Sequence, residues 1–111
     1  MDELSVVLTT APDDARARTL AGKLVAEGLA ACVNVLPGVA SFYIWQGAAE
    51  EGAESLLIAK IRACDFEAYA SRMTELHPYD VPEIVAVPVS RVSDAYHAWC
   101  IKQTARVSEG S

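Results

Sequence analysis

Short apolar runs alternate with amphipathic stretches along the chain, and their periods predict an interleaved order of strands and helices. Residues 4–10, LSVVLTT, form a nearly continuous apolar run, as expected of an interior strand covered by other elements. In the following APDDARARTLAGKLVAEG, Ala17, Leu20, Ala21, Leu24 and Val25 recur at helical spacing. Asp13 and Asp14 supply cap and dipole partners at its start, and Gly28 can take the left-handed stop. ACVNVLPGVASFYIWQG then reads as extended chain on either side of a bend or bulge at Pro37-Gly38, because proline cannot donate to a ladder. Residues 48–55, AAEEGAES, are polar and read as a turn, after which LLIAKI returns as a strand to complete a long hairpin.

A second helix is expected over residues 65–77, with Phe66, Tyr69, Ala70, Met73 and Leu76 or His77 on one face, ended by the restriction that Pro78 places on its predecessor. EIVAVPV is a strand whose Pro88 places it at an edge or in irregular pairing. A Ser93 cap opens a last helix that carries Tyr96, Trp99, Cys100 and Gln103 on one face. The order β-α-β-β-α-β plus a terminal helix is an α+β, ferredoxin-like sandwich with helices on one face of an antiparallel sheet. In that arrangement a hairpin carrying Phe42, Tyr43, Ile44 and Trp45 overhangs the sheet and leaves apolar surface and open edges in water. A homo-oligomer is the simplest cover.

Composition sharpens this picture. The 111 residues suit one domain spanning 1–111, and 52% hydrophobic residues are enough for a packed core. Residues 106–111, RVSEGS, are expected to fray. A formal net charge of −6 removes any general attraction to phosphate backbones or anionic lipid, so neither nucleic acid nor membrane is an expected partner. From Gly28 to Ala49 no residue is charged, a length that would span a bilayer, but Asn34, Pro37-Gly38, Ser41 and Gln46 interrupt it and β-branched and aromatic residues favour paired strand. Three cysteines without CxxC spacing fit reduced thiols in a cytoplasm.

Several chemistries of this fold are excluded by residue type. There is no CxxC pair for a copper-chaperone loop, and LSVVLT and LLIAKI lack the aromatics of an RNA-reading sheet. TTAPDDAR puts two carboxylates where a phosphate cradle needs glycine and arginine. Two histidines on separate elements assemble no nucleophile–base pair, so no enzyme activity is expected. His77 has three readings: a helix end facing the C-terminal dipole, a solvent-accessible metal ligand, or a base. His97 and Cys100 are spaced to chelate on one helical face, against core packing for Cys100 and also for Cys32. The run EEGAE at 50–54 reads as a solvated loop, with weak cation attraction as the alternative.

AACVNVLPGVASFYIWQG, ESLLIAKI, HPYDVPEIVAVPV and the terminal YHAWC together resemble the divalent-cation tolerance family, CutA, over nearly the whole chain. The resemblance implies a ferredoxin-like protomer in a tight homotrimer built much like the P-II signalling proteins, with hairpins of neighbours pairing edge to edge. It also implies a role in tolerance of copper and other divalent metals, as a metal-binding or signal-transducing protein; animal relatives are linked instead to anchoring of acetylcholinesterase. Copper ligands in some members lie at a cysteine ending the first strand and at a histidine pair before Pro-Tyr. Those positions correspond to Thr9, Leu76 and His77 here, so His77 alone keeps a ligating side chain and a site would need help from Cys32, a carboxylate or a neighbouring subunit. Asp80 stands for the family's usual glutamate, and Ala48 for a basic residue common at the hairpin tip.

The resulting expectation is a cytoplasmic, non-enzymatic homotrimer in divalent-metal response, with His77 as the ligand candidate for copper(II) or another divalent cation. The alternative is a trimer that binds a small effector in a cleft between subunits lined by Trp45, Lys60, Tyr79 and Glu83, or an adaptor whose surface is read by another protein.

Overall fold

The computed structural model describes residues 2–105. The elements are β1 (Leu4–Ala11), α1 (Asp14–Ala26), β2 (Cys32–Trp45), β3 (Ala48–Arg62), a 3₁₀ turn (Ala63–Asp65), α2 (Phe66–Leu76), β4 (Val85–Pro88) and α3 (Asp94–Gln103). The expectation for residues 106–111 lies outside the described residues.

Local signals explain the helix limits. The Asp13 side chain accepts from the Arg16 N–H at 2.8 Å to cap α1, and Gly28 takes φ 74° just beyond its end. Ser93 does the same for α3, accepting from the Tyr96 N–H. Ala17, Leu20, Ala21 and Leu24, spaced one helical turn apart, press against Val7, Leu57, Ala59 and Ile61 of the sheet and Tyr69 and Met73 of α2. These residues are one core, laid on one face of a four-stranded antiparallel sheet ordered β2-β3-β1-β4.

The hairpin differs from the sequence reading in where it turns. The turn is Gln46-Gly47, both with positive φ (49° and 81°), and Trp45 pairs with Ala48 so that AAEEGAES is strand rather than loop. Its polarity misleads because this part of β3 extends past the core, where neither face has to be apolar. The irregularity expected at Pro37-Gly38 is present as a register shift between Leu36 and Val39, with Gly38 at φ 74°. β4 is shorter than the apolar run and forms an edge, where Pro88 lies opposite Ser5 at the end of the pairing.

The second face of the sheet carries no helical layer over most of its area among the described residues. Val6, Leu8, Leu56 and Ile58 are half-buried there, and Leu36, Val85 and Val87 are exposed. Helix α3 reaches one end of this side, anchored where the Arg62 guanidinium donates to the Ile101 carbonyl and the Thr104 hydroxyl, both at 2.9 Å. Phe42, Ile44 and Trp45 on the overhanging hairpin are more than half exposed (74%, 70% and 60%). No helix of the described residues is long and apolar enough to cross a membrane.

Helices α1 and α2 are tied at their ends by a two-pronged pair, Arg72 Nε to Glu27 Oε1 at 2.8 Å and Nη2 to Oε2 at 2.9 Å. The hydrogen bond from Arg72 holds the Glu27 carboxyl below its ordinary range. Since the folded pKa lies below the unfolded one, the pair's contribution is present above the unfolded value and is lost as pH falls through the folded one. The thermal midpoint of Glu27→Gln is therefore expected to lie below that of the parent at neutral pH, and the gap to close as acid takes the carboxyl through its lowered titration range. A gap that persists in acid would show that packing, not charge, carries the contact.

Candidate functional site

The chain between α2 and β4 passes the root of the hairpin, and His77 holds it there. Pro78 bars helical geometry at the residue before it, so His77 is extended (φ −76°, ψ 141°) while its N–H still closes the helix on the Met73 carbonyl. The ring folds inward and is 7% exposed. Nε2–H donates to the Thr10 carbonyl at 2.8 Å, and Nδ1 accepts the Tyr79 N–H at 3.0 Å. The same ring stacks at a tilt on Tyr79, with centroids 4.8 Å apart. Tyr79 is thereby aimed at the hairpin, where its hydroxyl donates to Glu54 Oε2 at 2.8 Å. Partial burial, and then the Glu54 carboxylate, push the Tyr79 hydroxyl up to about 12, so it remains a neutral donor.

Between this loop and the hairpin lies an open cavity of about 1000 Å³. Its aromatic wall is Phe42, Tyr43, Trp45 and Tyr79; its acidic side chains are Glu50, Glu54, Asp80 and Glu83; Thr10, Ser41 and Val81 complete it. No lysine, arginine or histidine is among these lining residues, so the charged groups in its wall are all carboxylates, with Arg16 acting on Tyr79 from outside it. At Gly52 an added Cβ would stand 3.2 Å from the Tyr43 hydroxyl that lies across it, so a larger residue there would shift that ring.

The site residues expected from sequence are distributed unevenly over this geometry. Trp45, Tyr79 and Glu83 do share one cavity, and Asp80 joins them. Lys60 does not: it sits opposite Cys32 and Val6, six residues along β3 from Glu54 or about 20 Å. There its ammonium bonds Asn34 Oδ1. His77 is buried rather than solvent-accessible, and a cation could take Nδ1 only by displacing the Tyr79 N–H. Cys32 lies at the Lys60 end of the sheet while His77 reaches Thr10, whose partner is Leu56, so these two do not share a site within one protomer. Thr9, at the family's thiol position, is fully buried on the helical side. His97 bonds the Asp2 carbonyl at 2.6 Å whereas Cys100 packs with Leu4 and Ala31, so that spacing makes no chelate either.

Glu50 and Glu54 are hidden by the loop reading of EEGAE. Their signal is the period of two: once the segment is strand, Glu50, Gly52 and Glu54 face one side together, with Leu56 and Ile58 continuing it. Among the described residues no three His, Cys, Asp or Glu side chains stand close enough to hold one metal ion. The protomer's donors therefore do not fit a closed, dehydrated metal centre, which needs at least three or four ligands on one ion.

A split βαβ sheet with helices on one face, a bare second face and an overhanging hairpin with an acidic cavity at its root defines an α+β protein of the ferredoxin-like class. The chain belongs to the CutA1 divalent ion tolerance protein family, whose pattern matches residues 5–103. It is 46% identical over 99 residues to the divalent-cation tolerance protein CutA of Thermus thermophilus, covering 89% of this chain and 96% of that one. The solved structure of the divalent cation tolerance protein Cut A1 from the same organism superposes with a TM-score of 0.87 at 46% identity, covering 95% of this chain and all (100%) of that one. CutA1 from Oryza sativa superposes with a TM-score of 0.91 at 38% identity, over 93% and 94% of the two chains.

Proposed function

We propose that this chain acts in divalent-cation tolerance as a non-enzymatic, cytoplasmic homotrimer that senses cations at the acidic cavity and passes their presence to a partner. The observation that carries this is the cavity's lining, four carboxylates beside four aromatic rings with no basic group among them. Carboxylates and water suit hard and borderline divalent ions, copper(II) included, and an incomplete protomer set suits a hydrated ion or donors added by a neighbouring subunit. Trimer formation is supported by the bare sheet face and exposed hairpin, and the cytoplasm by three unpaired thiols. The same charge argues against the effector reading with an anionic ligand, since Lys60, the expected counter-charge, lies at the far end of the sheet.

The test is calorimetric titration of the reduced, metal-free protein with copper(II), with nickel(II) as a redox-inert control, on the parent, on Glu54→Gln/Glu83→Gln and on His77→Ala. Saturable binding of both ions that weakens in the double variant supports the cavity. Binding unchanged there and lost in His77→Ala, with the oligomer intact, returns the site to the imidazole; no binding of either ion favours the adaptor reading.

A further inference from the structure

The outer half of the hairpin turns one side to the cavity, and the strand register fixes what stands on it. Trp45 is opposite Ala48, Tyr43 opposite Glu50 and Ser41 opposite Gly52, and residues directly opposite in an antiparallel pair project to the same side. Glu50, Gly52 and Glu54 follow at intervals of two, so the row on that side is carboxylate, gap, carboxylate. The Tyr43 side chain fills the gap, its hydroxyl 3.2 Å from where a Gly52 Cβ would stand. Four positions of extended strand set Glu50 and Glu54 about 13 Å apart along the backbone. The Glu54 end is fixed by the Tyr79 hydroxyl at 2.8 Å, and the facing loop adds the carboxylates of Asp80 and Glu83. Glu51, which pairs with Phe42, projects from the other side.

We infer that this trough takes a linear aliphatic polyamine, with ammonium groups at Glu50 and Glu54 and the methylene chain between them laid along the Tyr43 ring. The inference rests on the reading of the cavity as a cation site and assigns it an organic occupant. A divalent metal ion holds its oxygen ligands at about 2.0–2.6 Å, and among the described residues no three acidic, histidine or cysteine side chains converge to that extent. Carboxylates kept apart by an aromatic ring instead match positive charges kept apart by an apolar stem. Each ammonium offers several donors to a carboxylate, and the ring faces of Tyr43 and Trp45 attract the cation and cover the stem. A cavity of about 1000 Å³ is also the size of a small-molecule site, far larger than one ion fills. Charge excludes the opposite class of ligand, because an anion would meet four carboxylates and no basic side chain in the wall.

The experiment is calorimetric titration of the metal-free protein at fixed ionic strength with spermidine, with diaminooctane and diaminobutane as diamines of equal charge and unequal length, and with nickel(II) as the metal probe. One spermidine per chain is expected, bound saturably. Diaminooctane should follow it, whereas diaminobutane, too short to reach from one carboxylate to the other, should bind about tenfold more weakly, the weight of one lost charge-assisted hydrogen bond. Glu50→Gln should weaken spermidine by a similar factor and abolish the preference for the longer diamine, and Tyr43→Leu should weaken it as well. Glu51→Gln makes the same change of charge on the other side of the strand and should leave binding unaltered. If circular dichroism shows that Tyr43→Leu disturbs the hairpin, Glu50→Gln, at an exposed position, decides. Equal affinity for the two diamines, or an equal loss in Glu51→Gln, would show diffuse attraction to an acidic surface and overturn the inference. Nickel bound without spermidine overturns it and leaves the metal reading standing; spermidine bound without nickel supports it and removes the metal from the cavity; binding of neither removes both.

Discussion

Replacing His77 with alanine is expected to lower unfolding stability by about 2–3 kcal/mol, whether or not a metal is present. The substitution removes the donor to the Thr10 carbonyl and the acceptor of the Tyr79 N–H, and it empties a buried ring volume. Each buried backbone group left without its partner costs on the order of 1–3 kcal/mol, against a total stability of only about 5–15. A denaturant midpoint that drops while the slope stays constant is the signature of this loss. The loop it pins should loosen as well, releasing Tyr79 from Glu54, which faster amide exchange over residues 78–83 would register. A variant as stable as the parent would show that the helix end is held by Pro78 alone.

The second large effect concerns assembly. Val87→Asp places a carboxylate on the bare sheet face, at a residue 47% exposed in the protomer. In the isolated chain that change costs little, because the site is open to water. In a trimer whose subunits cover this face it would bury three unpaired charges, each disfavoured by several kcal/mol or avoided only by proton uptake. Light scattering is expected to report a trimeric mass for the parent and a mass one third as large for the variant, with circular dichroism unchanged. An unaltered trimer would move the interface away from this face and onto the hairpin edge. A monomeric parent would remove the trimer from the proposed function.

The elements readable from sequence are those whose signals are local. Asp13, Gly28 and Ser93 mark helix ends through their own backbone and side-chain chemistry, and Ala17, Leu20, Ala21 and Leu24 mark a buried stripe by spacing alone. The hairpin tip carries no such pattern, because beyond the core both faces tolerate Ala, Glu and Gly, and so its turn is set by Gln46-Gly47 and not by polarity. His77 is visible as a helix end, but its ring partners are main-chain atoms, one of them 67 residues away, which leave no trace in residue identity. That Trp45, Tyr79 and Glu83 line one cavity within a protomer, while Lys60 lies beside Cys32, depends on the strand register, which residue identity does not convey.

The strand order also has a consequence for how the molecule is made. β2 and β3 can zip from a two-residue turn as soon as both have been synthesised, a local event of low loop-closure cost. β1 is produced first, yet it is an inner strand, and its outer neighbour β4 pairs Ser5 with Pro88, near the far end of the chain. During synthesis a finished hairpin with Phe42, Ile44 and Trp45 in water coexists with a half-flanked β1, which is the state most open to wrong edge pairing. Slow release of the C-terminal third should thus lower the yield of folded protein.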